Sequence, residues 1–152
     1  MQLPQGITGF RGRNDSVVPA TDLAAFKSDC FMIAHALGGS VTKLAVDGVI
    51  ANYGCIVLMI QDRDVMVLIN VHVPVIAFAE PLARTDHQII FLDELELANR
   101  FRSIGTYTVL DRDELESTVT AEACRMLTGA EQDQIKYWKP ARLADLVFNN
   151  WD

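Results

Sequence analysis

The chain has 152 residues, of which half are hydrophobic and 22% are charged, and this balance excludes a disordered segment and predicts one globular domain. Its 13 Lys and Arg and 20 Asp and Glu give a formal net charge of −7, which disfavours non-specific binding to nucleic acid. The acidic excess is concentrated in residues 93–152, with twelve acids and seven bases, against eight acids and six bases in residues 1–92.

Residues 1–20 are rich in glycine and proline, which predicts a loop or an extended arm. The motif Gly6-x-x-Gly9-x-x-Gly12 lacks the GK[ST] ending of a phosphate loop and follows no apolar strand, so it does not predict a nucleotide site. A helix is predicted to begin at Thr21 and to stop at the glycine pair 38–39. Its apolar stripe has alternating spacings of three and four: Leu23, Phe26, Cys30, Ile33 and Leu37.

Strands are predicted where β-branched and aromatic residues concentrate, at residues 41–46, 50–60, 65–71, 75–79, 88–92 and 107–110. The first three segments are separated only by short turns at 47–48 and 62–64. Such connections require antiparallel pairing, because a parallel return needs a crossover of about a dozen residues. The sequence therefore predicts a single α+β domain, with a mainly antiparallel sheet of five to six strands, the N-terminal helix packed on it and short C-terminal helices.

The C-terminal part predicts four further helices. An amphipathic helix should follow Asp93 and end at Gly105, with one apolar side formed by Leu95, Leu97, Ala98 and Phe101. Residues 111–114 are typical of a turn that leads into a helix. Thr128 and Glu131 have the spacing of a capping box, and that helix should break at Pro140 before a last short helix at 141–148.

The end of the chain holds both tryptophans of the protein. Because large aromatic rings bury much apolar surface, we expect these residues to form a structural tail packed against the sheet. As an alternative, exposed Trp and Tyr would form an interface anchor, since these residues are enriched in binding hot spots. The residues of this predicted tail are Tyr137, Trp138, Pro140, Phe148 and Trp151.

Several features predict a soluble cytoplasmic protein. Cys30, Cys55 and Cys124 are odd in number and lie in apolar surroundings, as reduced core thiols do. Residues 1–10 lack the basic start and apolar stretch of a signal peptide. The longest apolar passage, residues 65–79, is interrupted by polar residues and is shorter than the roughly 20 residues of a membrane helix.

No catalytic set, metal site or cofactor site is predicted. His35, His72 and His87 have no ligand partner at the spacing of metal sites. Asp111-x-Asp113 begins like a calcium loop, but the next positions lack the oxygen ligand and the glycine that such a loop needs. The carboxylates of this part are typical of solvated turns and helix starts, or of an acidic face that binds a partner: Asp93, Glu94, Glu96, Asp111, Asp113, Glu114 and Glu116.

Six segments follow one another along the chain: Leu3-Pro4-x-Gly6-Ile7-Thr8-Gly9-Phe10, Val67-Leu68-Ile69-Asn70, Ile76-Ala77-Phe78-Ala79, Phe91-Leu92-Asp93, Ile135-Lys136-Tyr137-Trp138-Lys139-Pro140 and Phe148-Asn149-Asn150-Trp151-Asp152. This order resembles a family of small bacterial cytoplasmic proteins, which in turn resemble the immunity proteins of polymorphic or contact-dependent toxin systems. The resemblance implies a non-enzymatic protein without cofactor that neutralises a cognate protein toxin. It places no catalytic or binding residue on this chain.

Three hypotheses follow. In the first, the acidic face binds a basic toxin, without nucleic acid or membrane as partner and with the protein as a monomer or homodimer. In the second, a pocket between the sheet and the Thr21 helix binds a small molecule or peptide. In the third, an enzyme site assembles from distant residues such as Cys55, His72 and Asp93.

Overall fold

One sheet lies at the centre of the protein in a computed structural model that describes residues 1–45, 51–81 and 88–151. The strands in these ranges are β1 (Ser40–Ala45), β2 (Tyr53–Ile60), β3 (Arg63–Asn70), β4 (Val75–Ala79), β5 (Phe91–Leu92) and β6 (Thr108–Val109). The helices are α1 (Leu23–Ala36), α2 (Leu95–Ile104), α3 (Arg112–Glu116), α4 (Gly129–Trp138) and α5 (Leu143–Val147).

The strands pair antiparallel in the order β1-β2-β3-β4-β5, and β6 pairs with β4 in parallel. Gln61 and Asp62, both with positive φ, form the tight turn between β2 and β3. The predicted turn at 62–64 therefore lies slightly too late, because Arg63 already belongs to β3. The predicted turn at 47–48 lies outside the described residues. The predicted α+β fold, with its mainly antiparallel sheet, is confirmed.

Both faces of the sheet are covered, which explains why β4 is buried along its whole length. On one face α1 and α2 pack through Phe26 and Phe101, whose ring centroids lie 6.4 Å apart. On the other face the C-terminal helices pack together with the N-terminal loop, which buries Leu3 and Ile7. The loop predicted for residues 1–20 is therefore docked on the core, and Leu3 N–H donates to the Ala123 carbonyl at 2.9 Å.

The structure corrects two predictions about the helices, the N-cap of α1 and the apolar side of α2. Asp22, and not Thr21, caps α1, because its carboxylate accepts from Ala25 N–H at 2.9 Å while the Thr21 hydroxyl donates to the Asn70 carbonyl. Leu95 does not belong to the apolar side of α2 and is 74% exposed, since it stands in the first turn, away from buried Leu97 and Phe101. Gly105 ends α2 in the left-handed conformation, as predicted.

Candidate functional site

Four of the predicted acidic residues line one groove of about 240 Å³. It lies where β5 and β6 run in opposite directions along one edge of β4, so that the residues after each strand meet. We call it the acidic groove, and its rim and floor include Leu92, Asp93, Glu94, Leu95, Arg102, Asp111 and Asp113. The prediction that these carboxylates are close in space thus has a geometric basis for four of the seven.

Backbone donors hold two of the groove carboxylates in place. Asp93 Oδ1 accepts from Arg112 N–H at 3.0 Å, which ties β5 to the start of α3. Asp111 Oδ1 accepts from Glu114 N–H at 2.8 Å, and Glu114 Oε2 accepts from Asp111 N–H at 2.9 Å. This reciprocal pair is a capping box, so Asp111 and Glu114 serve α3 as well as the surface.

Arginines partly neutralise the same surface. Both oxygens of Glu94 accept from the Arg63 guanidinium, and this hydrogen bond raises the pKa of Arg63. Glu116 pairs with Arg112 at 3.3 Å on the outside of α3. Arg102, which lines the groove, donates to the Val109 carbonyl at 3.4 Å. The net field of the acidic face is therefore smaller than its seven carboxylates suggest.

Glu96 and Asp113 differ from the other five. Neither side chain accepts a hydrogen bond or forms an ion pair with any residue that the structure describes. Asp113 lines the acidic groove and also the neighbouring cleft beside Glu114. Glu96 lies beside Arg100 on the outer surface of α2. These two carboxylates are the ones available to an incoming cation.

A set of buried polar side chains joins the N-terminal loop to the tail, and sequence reasoning missed most of it. We call Asn52, Asn70, Glu131 and Asn149 the polar clasp; all four are buried. The amide nitrogens of Asn52 and Asn70 both donate to the Ile7 carbonyl, at 2.9 and 2.8 Å. Asn149 N–H donates to Asn52 Oδ1 at 2.7 Å. One sequence signal for it was the Thr128/Glu131 capping box, which is confirmed.

Glu131 is the charged member of the clasp and is fully buried. Its Oε1 accepts from Gly6 N–H at 3.1 Å, Thr8 N–H at 3.2 Å and the Thr8 hydroxyl at 2.9 Å. Its Oε2 accepts from Thr128 N–H at 2.9 Å. Four donors compensate the loss of water around this carboxylate. The Gly6-x-x-Gly9 turn therefore binds the buried carboxylate of Glu131 and not an external anion.

A second open cleft, of about 500 Å³, lies on the outer side of this turn. We call it the loop cleft; it is lined by Gln5, Gly6, Gly9, Phe10, Arg11, Asp15, Ser16, Val18, His72 and Thr128. Burial lowers the pKa of His72, and the Glu131 charge opposes this only in part. The imidazole is therefore neutral near pH 7.

The tail divides into a buried and an exposed half. Phe148 is buried and packs edge-on against Tyr53, with ring centroids 5.7 Å apart. Trp151 is half-buried between Phe10 and Trp138, at 6.2 and 6.0 Å. Tyr137 is 76% exposed, so the prediction that its ring packs against the sheet was wrong. It stands on the solvent side of α4.

Pro140 lies directly after the end of α4, where Lys139 adopts a left-handed conformation with φ 49°. It is half-buried and lines a cleft together with Trp138 and Trp151. The predicted break of the helix at this position is confirmed.

The structure does not form the other two predicted sites, the pocket between the sheet and α1 and the enzyme site of Cys55, His72 and Asp93, within the residues it describes. The space between α1 and the sheet is filled by buried side chains, among them Phe26, Cys30 and Ile33. Cys55, His72 and Asp93 share no hydrogen bond in the described part of the chain. Cys55 lies beside Leu68 of β3, and burial raises the pKa of its thiol, which disfavours the nucleophilic thiolate.

Within residues 1–45, 51–81 and 88–151, no group of three or more His, Cys, Asp or Glu side chains is placed to hold a metal ion. In those same ranges no helix combines the length and the apolar character needed to cross a membrane. His87 lies outside the described residues. Comparison of the chain with protein-family models, with curated proteins and with solved structures found no match.

Proposed function

We propose that the protein is a cytoplasmic, non-enzymatic immunity-type protein that binds and neutralises a cognate basic protein toxin through the acidic groove. The observation that carries this proposal is the unengaged carboxylate of Asp113 in the groove, beside Asp93 and Asp111, which already accept from backbone donors. A partner's Lys or Arg can bind Asp113 without breaking the protein's own contacts.

The groove also offers an apolar anchor. Leu95 is 74% exposed and lines the groove together with Asp93 and Asp113. An apolar side chain with charged neighbours can become the buried centre of a protein interface, with the polar groups as its rim. A peptide-like surface with a cation and an apolar neighbour matches this chemistry better than a small inorganic cation does.

Fixed carboxylates support fast and oriented association. Asp93 and Asp111 are immobilised by backbone hydrogen bonds, so binding orders few additional side chains. Their negative potential attracts a basic partner over a distance of about one Debye length, roughly 8 Å at physiological salt. The contribution should therefore appear mainly in the association rate and should weaken as salt is added.

The test compares two single charge reversals in complexes with the toxin encoded beside this gene. Asp113→Lys changes a free carboxylate in the groove, and Asp133→Lys changes an exposed carboxylate on α4, outside the groove. We expect Asp113→Lys to slow association about tenfold at low salt, and Asp133→Lys to change it less than about twofold. Stopped-flow or surface plasmon resonance at two salt concentrations measures both.

Equal effects of the two reversals would mean that the acidic groove is not the binding face. Failure of the wild-type protein to bind the neighbouring gene product, or to protect a bacterial host that expresses it, would overturn the immunity function itself. Circular dichroism of each variant confirms that the fold is retained.

A further inference from the structure

Four polar side chains converge on the loop cleft and have spare hydrogen-bonding capacity. They are the side chains of Gln5, Arg11, Ser16 and His72. In the described part of the chain, none of them donates or accepts a side-chain hydrogen bond or forms an ion pair. The volume of this cleft lies in the range of small-molecule sites, which combine apolar walls with a few placed polar groups.

Hydrogen bonds hold the backbone wall of the cleft, the turn from Gly6 to Gly9, in a fixed conformation. Glu131 holds the backbone N–H groups of Gly6 and Thr8, and Gly9 N–H donates to the Gly6 carbonyl at 3.0 Å. Gly9 has φ 86°, and a Cβ at this position would lie 2.7 Å from Nε2 of His72. The imidazole therefore lies directly on the glycine backbone, so the backbone wall of the cleft is already fixed, and the Arg11 side chain becomes ordered when a ligand binds.

Arg11 gives the cleft a cationic group that can bind an anion. Arg11 presents a planar guanidinium without a partner among the described residues, and such a group binds carboxylates and phosphates through two parallel hydrogen bonds. Asp15, which also lines the cleft, accepts from Gly12 N–H at 2.6 Å, and this bond orients its carboxylate without removing its charge. The attraction for an anion therefore comes from direct contact with the Arg11 guanidinium and not from the net charge of the lining. Phe10 and Val18 provide an apolar part of the wall.

We propose that the loop cleft binds a small oxyanion, a carboxylate or a phosphate ester, whose charged group contacts Arg11 and His72 and whose apolar body contacts Phe10 and Val18. This site is separate from the acidic groove and does not rest on the toxin-binding function.

His72 should report the occupied state. In the free protein burial keeps the imidazole neutral, while Glu131 from α4 and Asp15 and Arg11 from the N-terminal loop are the charged groups around it. An oxyanion beside the ring favours the imidazolium, so binding should raise the pKa of His72. By linkage, affinity should then increase as the pH falls through the raised pKa of the complex.

The experiment titrates phenyl phosphate, benzoate and inorganic phosphate into the full chain, with calorimetry and NMR chemical shifts as readouts. Arg11→Gln is the test variant and Arg13→Gln is its control, since Arg13 carries the same charge on the same loop but does not line the cleft. We expect Arg11→Gln to weaken binding of the preferred aromatic probe about tenfold and Arg13→Gln to weaken it less than about twofold.

The ratio of affinities for phenyl phosphate and benzoate identifies the preferred oxyanion, and weaker binding of inorganic phosphate than of phenyl phosphate identifies the apolar contact. The His72 ring protons should titrate at higher pH in the presence of the bound probe. Absence of binding by all three probes up to about 10 mM, or equal losses in the two arginine variants, would overturn the proposal. An unchanged His72 titration in the complex would remove His72 from the site.

Discussion

α3 and α4 begin with the same local motif, yet the two capping boxes have different surroundings. In α3 the Asp111/Glu114 pair lies at the surface, and among the residues that the structure describes the Glu114 carboxylate accepts only from Asp111 N–H, at its own helix start. In α4 the Glu131 carboxylate is fully buried and holds the N-terminal loop as well as the helix. A motif that starts a helix can thus become a tertiary anchor when a second chain segment covers it.

The difference lies in what happens when the carboxylate is lost. At the surface, water replaces a lost partner at little cost. In the interior the backbone donors of Gly6, Thr8 and Thr128 would be left without an acceptor, and each buried unsatisfied donor costs about 1–3 kcal/mol. The two glutamates therefore provide a matched pair for measuring the effect of burial.

The largest effect is expected for removal of these carboxylates. Glu131→Ala should lower the free energy of unfolding by about 3–5 kcal/mol, and Glu114→Ala by about 0.5–1 kcal/mol. Urea denaturation followed by circular dichroism measures both. If Glu131→Ala does not fold, Glu131→Gln, which retains one acceptor oxygen, should show a smaller loss. Losses that agree within about 0.5 kcal/mol would contradict the distinction between the two boxes.

A smaller effect is expected from two adjacent asparagines in the tail. Asn149 is buried and donates to the carbonyls of Thr8 and Leu146, at 3.2 and 3.0 Å, whereas Asn150 is exposed. Asn149→Ala should cost about 2–3 kcal/mol and Asn150→Ala less than about 0.5 kcal/mol. Thermal unfolding resolves this difference. A larger loss in Asn150→Ala would mean that the tail is held by other contacts.

The smallest difference between two paired variants is expected at the N-cap residues themselves. Thr128→Ala and Asp111→Ala each remove one side-chain acceptor from a helix start, a local effect of about 1 kcal/mol. Chemical denaturation of the two variants should therefore give similar values, in contrast to the glutamate pair. A Thr128→Ala loss as large as that of Glu131→Ala would show that the hydroxyl supports the clasp directly.

The helices and strands were predictable because their signals are local. Turn residues separate the strands, glycines end α1 and α2, and the Thr128/Glu131 capping box follows from a spacing of three residues. Asp22 was overlooked as the cap of α1, since Thr21 has an equally suitable side chain and only the Asn70 carbonyl decides between them. Exposure of Leu95 depends on how α2 rotates on the sheet.

The candidate sites were only partly predictable. The acidic residues are evident from composition, but their grouping depends on β5 and β6 sharing one edge of β4, which brings Asp93 to Arg112. The lining of the loop cleft brings His72 together with residues 5–18, which lie more than fifty positions earlier in the chain. Gly9 was noted in a glycine repeat, and its close approach to His72 is a tertiary contact without a sequence signal.

By itself, the sequence determined the α+β class, most element positions, the capping box of α4, the glycine that ends α2 and the acidic character of the C-terminal part. Each of these depends on residues that are close together along the chain or on overall composition. Only the tertiary structure decided that Glu131 anchors the N-terminal loop and that Asn52, Asn70 and Asn149 meet. It also decided that Phe148 is buried while Tyr137 stays in solvent. These side chains stabilise the fold because they are buried, where a lost hydrogen bond is not replaced by water. Their burial depends on segments that are distant along the chain.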